Sequence, residues 1–514
     1  MNPSLSLSLY SSAPPPLPRR RVAVRFPQTP HPTPAPILAI LLRRSLLPPP
    51  PPSSTPPPAN GILNMAEINV IHELDIVRKL AELTPIPSER SIFRVHDRWR
   101  NENKNAYEPQ LVAIGPYHHG KDNLQPMEEH KLRYLQQLCN RRNEGTVEGY
   151  IKAMREFEQK ARKFYAEPIS LDSNAFVEMM LLDSCFIIEF LFKSMRGPND
   201  PIFRIEHIRR GIFRDLVLFE NQLPLFIVEE LFNMTNNSTD SLDNLLRTFV
   251  GSFDWITPDK SLLGTTSDIK HLLGLLHYCC CYRFHSKVSQ TVELEDMPRK
   301  SAAELHEAGI KFKKIEKIER VEGFDGFMSS TRPVMSYDHC VMCYAHPKKE
   351  KKKIWERNLF DIRFVNGTME IPTLEVEDET ESVFRNLIAY EQYLPDNTWH
   401  HFTAYHKFMD YLVNTSKDVE ILTQHGIIRN FLGENEVVAT MLNNLGNNTT
   451  ASYIGYEEVY NKLTEHCRKK WNVWLAILRR DYFNNPWALI SFLAAAGLLL
   501  LTLLKTIFKV ILGR

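Results

Sequence analysis

Residues 111–130 read LVAIGPYHHGKDNLQPMEEH, and the rest of the chain falls into order around them. Leu111 to Ile114 has the length and branching of a short buried strand. Gly115-Pro116 must turn the chain, and Gly120 ends the turn because glycine accepts positive φ without a Cβ clash. Pro126 suits the first turn of a helix, with Glu128 and Glu129 set against the positive end of its dipole. His118 and His119 are thereby placed on a loop between two regular elements, where binding and catalytic groups concentrate.

Three readings of that loop compete. Residues 115–122, GPYHHGKD, come one residue short of the GxxxxGK[ST] loop that cradles phosphates and holds magnesium through its hydroxyl. Asp122 stands where the hydroxyl belongs and sets a carboxylate beside the phosphates, while Pro116 and two imidazoles crowd the loop. His118, His119, Glu129 and His130 are also types that titrate or ligate near neutrality, which opens acid–base or metal chemistry, although their spacing matches no HExxH pattern. The third reading is structural: the histidines fasten the loop through hydrogen bonds to neighbouring backbone.

The same residues carry a resemblance. Residues 93–120, FRVHDRWRNENKNAYEPQLVAIGPYHHG, and then MEEHKLRYL resemble the opening block of the plant domain of unknown function 247 family. Later blocks agree in order: LLDSCFIIEF, DLVLFENQLPLFIVEELF, AAELHEAGIKFKK, DIRFVNGTMEIPTLEV, RNLIAYEQ and the closing YFNNPWALISFLAAAGLLLLT. The likeness spans roughly residues 70 to 510. It implies a plant protein with one C-terminal membrane helix and no agreed enzymatic activity, some relatives being linked to self-incompatibility recognition at pollination.

Composition narrows the classes. The first 66 of 514 residues hold six arginines and no acid, so the remainder carries 56 basic against 61 acidic residues, a formal charge near −5. Such a body offers no electrostatic footprint for nucleic acid. The cysteines, with Cys279, Cys280 and Cys281 in a row and Cys340 paired with Cys343, do not form the framework of a secreted disulfide scaffold, and reduced thiols in the cytosol are expected. A single CxxC without a second pair is too little for zinc, and no cofactor is expected.

Eighteen of the 34 prolines fall in residues 1–60, and such a segment cannot bury enough apolar surface to offset the entropy of ordering it. We read 1–64 as disordered, 65–466 as the globular helical domain, 467–486 as an amphipathic juxtamembrane segment, 487–504 as a transmembrane helix and 505–514 as a short basic tail. Within the domain, Met65 onward reads as an amphipathic helix, two charge-rich helices follow Met127 with a break at Asn140 to Gly145, and Asp172 to Lys193 reads as a helix buried nearly all round. Its expected neighbour is Ile212 to Phe232, where Glu220, Asn221 and Gln222 interrupt an apolar run before Pro224. Buried polar groups need partners, so these three are expected to form a hydrogen-bond network, with a catalytic or magnesium-side Glu220 as the sharper alternative.

Ser301 and Glu304 form a capping box for a helix that Gly309 ends. Asn366-Gly367 supplies the turn of an antiparallel hairpin over Asp361 to Val376. The run Lys348 to Lys353 reads as a solvated loop, and helix returns at Asn386 to Leu394, His401 to Val413 and Asp418 to Leu432. The fold class is therefore mainly α with a small antiparallel sheet. Trp487 to Leu504 is eighteen uncharged residues, about 27 Å of helix, enough to cross a bilayer. The expected protein is tail-anchored with its body in the cytosol, partnered by the lipid bilayer and by another protein. The alternative is an enzyme, with either a degenerate phosphate loop or a His/Glu-dependent hydrolase site.

Overall fold

In the computed structural model, the two charge-rich helices are Gln125–Arg141 (α1) and Val147–Arg162 (α2), and Ser173–Arg196 (α3) packs against both. The structure describes residues 78–79, 89–141, 147–196, 200–235, 241–253, 255–256, 269–281, 300–315, 318–321, 353–356, 359–395, 400–449, 456–469 and 486–513. The proline-rich segment, almost all of the Met65 helix, the Cys340–Cys343 pair, Lys348 to Lys352 and residues 470–485 of the juxtamembrane segment lie outside the described residues. Chain contacts divide the molecule into Met1–Pro85 and Ile86–Arg514, and the fold described is that of the second unit.

Helix α3 is the hub. From Phe176 to Leu191 it is buried on nearly every face, as its largely apolar sequence demands, and each Phe or Leu so buried stabilises the fold by about 1.5 to 3 kcal/mol. Glu206–Asp215 (α4) leads through the turns of Leu216 to Gln222 into Leu225–Thr235 (α5), which packs on α3 and α2, and Leu242–Gly251 (α6) covers another side of α3. Leu272–Cys281 (α7) links this bundle to the second half through contacts with α6 and with Thr380–Glu391 (α9), which pairs with His401–Leu412 (α10). Between them in sequence lies the short helix Ala302–Glu307 (α8), begun by the expected capping box: Glu304 N–H donates to Ser301 Oγ, and Ser301 N–H to Glu304 Oε2 at 3.0 Å. Ser416–Gln424 (α11), Asn435–Asn444 (α12) and Glu457–Arg468 (α13) complete the body, and one continuous hydrophobic core runs through both halves.

The strands are Lys311–Lys314 (β1), Ile318–Val321 (β2), Lys353–Glu356 (β3), Arg363–Val365 (β4), Thr368–Ile371 (β5), Leu374–Val376 (β6) and Ile428–Asn430 (β7). The anticipated hairpin is β4–β5, with Val365 opposite Thr368 and both Asn366 (φ 49°) and Gly367 (φ 76°) left-handed, as a type I′ turn requires. The sheet is mixed rather than antiparallel, because β1 joins the far edge of β5 in parallel, Phe312 beside Met369, and β6 and β7 form a second parallel pair. β2 and β3 pair antiparallel, so Lys353, expected in a loop, begins a strand.

Three local expectations are corrected. Leu111 to Ile114 is not a strand: Val112, Ala113 and Ile114 are buried, but the amides along the run donate to side chains instead of to a neighbouring strand. The helix expected over Asp418 to Leu432 ends at Gln424, since Gly426 takes φ 70° and the β-branched Ile427 and Ile428 then enter the β7 ladder. The C-terminal helix runs Pro486–Leu512 (α14), with a candidate span of 22 residues, Ile490–Ile511, about 33 Å, instead of stopping at Leu504. Lys505 and Lys509 are four residues apart and share a face of this helix.

Candidate functional site

The loop that opened the sequence reading is built against the turns after α4. Gly115 takes φ 74°, and a Cβ there would lie 2.3 Å from the Gln222 carbonyl oxygen, so only glycine fits. Gly120, at φ 79°, closes the turn, and α1 begins with Pro126 in its first turn as expected. The backbone amides on the way into the loop are taken up one by one. Leu111 and Val112 donate to Asp215 Oδ2 at 2.7 and 3.0 Å, Ile114 to Asn221 Oδ1 at 2.7 Å, and Gly115 to Asp183 Oδ2 at 2.7 Å. Lys131 Nζ, wholly buried, bridges the Ala113 carbonyl, Asp183 Oδ1 and Glu128 Oε1 at 2.6 to 2.7 Å. Burial works against that ammonium, but Asp183 and Glu128 outweigh it and hold its pKa above the ordinary lysine value.

The network expected of Glu220, Asn221 and Gln222 is present. Asn221 Nδ2 donates to the carbonyls of Val112 and Asp215, while Gln222 Nε2 donates to those of Leu216, Leu218 and Asn221. Gln222 Oε1 accepts from Leu273 N–H at 3.1 Å, which ties the bend to α7. Glu220 accepts from Val95 N–H at 2.6 Å and from the Arg100 guanidinium, with Arg94 3.7 Å from its second oxygen. His118 Nε2 lies 3.5 Å from that same oxygen without a hydrogen bond to it. Burial, then the positive charges of Lys121, Arg100 and Arg94, lower the His118 pKa from its ordinary 6.5 to about 3, so the ring is neutral at physiological pH.

His118 and Glu220 are thus brought together, and the other candidates are not. His119 is half-buried, Glu129 is on an exposed face paired with Arg133, and His130 is half-buried on α1; among the described residues no hydrogen bond or ion pair joins them to His118. A phosphate cradle needs loop amides aimed at a common point, whereas Gly115 N–H already meets a carboxylate and Lys121 Nζ lies 3.4 Å from Glu108. An open cleft of about 490 Å³ lies elsewhere, at the start of α9 and along α12. Its lining sets Glu102, Glu377, Asp378, Glu381, Glu434 and Glu436 against Arg385, a field that repels phosphate and other anions.

Asp183, Asp215, Lys131, Arg94 and Arg100 were missed in the sequence reading. Asp183 carried a signal, a charge inside the apolar run LLDSCFIIEF, and so did Asp215 at the head of LVLF. Lys131 lies in a charge-rich helix where nothing local marks it as the buried lysine.

Comparison with known proteins agrees with the resemblance. A family described as plant protein of unknown function, DUF247, matches residues 92–501. A UPF0481 protein of Arabidopsis thaliana is 27% identical over 432 residues, covering 81% of this chain and 85% of its own length. A second UPF0481 protein of the same plant is 24% identical over 502 residues, 85% of this chain and 93% of its own. No solved structure matches. With four-fifths of its length inside that match and every quoted block in order, the chain belongs to the DUF247 family of plant proteins of unknown function.

Proposed function

We propose that the protein is a single-pass, tail-anchored membrane protein whose body works in the cytosol by recognising another protein and carries out no reaction of its own. The observation that carries this reading is α14: 22 consecutive residues of an apolar helix that none of the described residues covers, a surface that is stable in lipid and costly in water. The backbone amides of Leu111, Ile114 and Gly115 support the second half of the reading, because they are taken up by the side chains of Asp215, Asn221 and Asp183 and are not free to bind a substrate. The basic residues Arg468, Lys469, Lys470, Arg479 and Arg480 before the span, against Lys505 and Lys509 in its last turns and Arg514 after it, favour a cytosolic body.

The test is extraction of native membranes with alkaline carbonate, followed by N-glycosidase treatment. The full chain should stay with the membrane, a chain ending at Asn485 should be released, and no mobility shift should appear at the sequons of Asn233, Asn236, Asn237, Asn366, Asn414, Asn447 or Asn448. Retention of the shortened chain would overturn the anchor, and a glycan at any of these asparagines would put the body outside the cytosol. Affinity capture with the detergent-extracted full chain should return a protein in comparable amount; a preparation that binds no protein but turns over a small molecule would overturn recognition.

A further inference from the structure

Away from the loop, α7, α9 and the start of α10 bring together three side chains that no part of the reading above uses. His277 and Cys281 are four residues apart on one face of α7, and Glu391 is the last residue of α9. All three are buried, and one ligand atom from each lies within 4.8 Å of the others. His277 Nε2 is 2.8 Å from Glu391 Oε1 and 3.6 Å from Cys281 Sγ. Both contacts are made by the same ring nitrogen. A Cys–His–acid catalytic relay needs one partner on each nitrogen, so this arrangement is not a nucleophile with its base. Three donor atoms converging on one point is instead what a bound cation asks for.

We propose that His277, Cys281 and Glu391 form a buried zinc site. Imidazole, thiolate and carboxylate are zinc's usual protein ligands, and His–x3–Cys on a helix presents two of them to one side. The carboxylate is already oriented: Glu391 Oε2 accepts from Thr403 N–H at 2.8 Å and from its hydroxyl at 2.7 Å, leaving Oε1 toward His277, with Phe402 N–H at 2.9 Å from it. Such support from outside the ligand set is the rule at metal centres. The rings of Tyr390 and Phe402 lie 5.3 and 5.9 Å from the His277 ring, so the surroundings are largely aromatic. Zinc with one thiolate and one carboxylate sums to zero charge, which suits that setting. Without metal, burial holds the Cys281 thiol pKa well above its ordinary value, and binding releases that proton to solvent. The imidazole gives up no net proton, because a neutral ring protonated on Nδ1 offers its Nε2 lone pair to the metal.

The test uses the full chain extracted in detergent. Loaded with zinc and desalted, it should retain one zinc per chain. Loaded with cobalt(II), it should show a thiolate-to-cobalt band in the near ultraviolet. Cys281→Ser should lose the band and the zinc, whereas Cys279→Ser, in the next position but one toward the N-terminus, should keep both. Absence of the band in the unmodified chain would overturn the site whatever the variants do, and so would a band that survives Cys281→Ser or disappears equally in Cys279→Ser.

Discussion

At the scale of single residues, Asn221 shows how much one amide can hold. It joins three backbone groups from two separate segments, with Ile114 N–H on its oxygen and the Val112 and Asp215 carbonyls on its nitrogen, all of them buried. Asn221→Ala strands those groups without water, and each buried polar group so left costs about 1 to 3 kcal/mol, so the variant should lose about 3 kcal/mol or more. Thermal unfolding of the full chain measures this; a loss below about 1 kcal/mol would mean that the loop is held by other means. Asn221 and its neighbours were legible because polar residues in an apolar run must find partners. The identity of those partners was not, since Asn221 reaches residues 107 and 109 positions away, and nothing in either local pattern encodes the other.

Between elements, one carboxylate starts two helices. Asp418 Oδ2 accepts from Thr415 N–H at 2.9 Å and from its hydroxyl at 3.0 Å, which completes the capping box of α11. Oδ1 accepts from Ala303 N–H at 2.7 Å, in the first turn of α8, 115 residues earlier. Burial opposes the charge, but these hydrogen bonds, with one from Ser301, outweigh it and hold the Asp418 pKa below the ordinary carboxylate value. Asp418→Asn keeps the shape and one accepting oxygen, but at one of the two helix starts it sets an amide donor against N–H donors, and it should cost about 2 kcal/mol. The loss should show in thermal unfolding at pH 7 and shrink in acid, where the native carboxylate is itself protonated; an Asn variant as stable as the parent at pH 7 would refute the double cap. The Ser301 box could be read directly from Ser and Glu three residues apart. The tie to Asp418 could not, because it exists only once α8 and α11 are packed.

On the scale of the whole molecule, three buried histidines make stability depend on pH. Burial lowers the pKa of His118 and His406 to about 3 and that of His271 to about 4, with nearby cations adding to the effect for the first two. The unfolded chain takes up protons at these rings near pH 6.5, whereas the folded chain refuses them until far lower. Their stabilising effect is therefore complete above pH 6.5 and is lost as pH falls toward 3 to 4. Each ring contributes a slope of about 1.4 kcal/mol per pH unit in that window. Unfolding free energy measured between pH 7 and 5 should fall steeply, and His118→Gln should reduce the slope near pH 5 by about one proton. An unchanged slope in that variant would show that His118 takes up its proton in the folded state.

The chain pattern alone settled the features that depend on neighbours a few residues away: the apolar content that buries α3 and makes α14 long and apolar enough to cross a membrane, the Ser301–Glu304 box, the Asn366-Gly367 turn and the left-handed glycine at position 120. Tertiary structure decided the rest. Leu111 to Ile114 looked like a strand because burial and branching are local properties, but whether its amides meet a strand or the carboxylate of Asp215 depends on a segment a hundred residues away. The parallel pairings of β1 with β5 and β6 with β7 have the same origin, since no tight turn joins parallel strands and no local period announces them. Donor and acceptor types are written in sequence; which donor meets which acceptor is fixed by long-range packing, and so the buried network, unlike the helices that carry it, appears only in three dimensions.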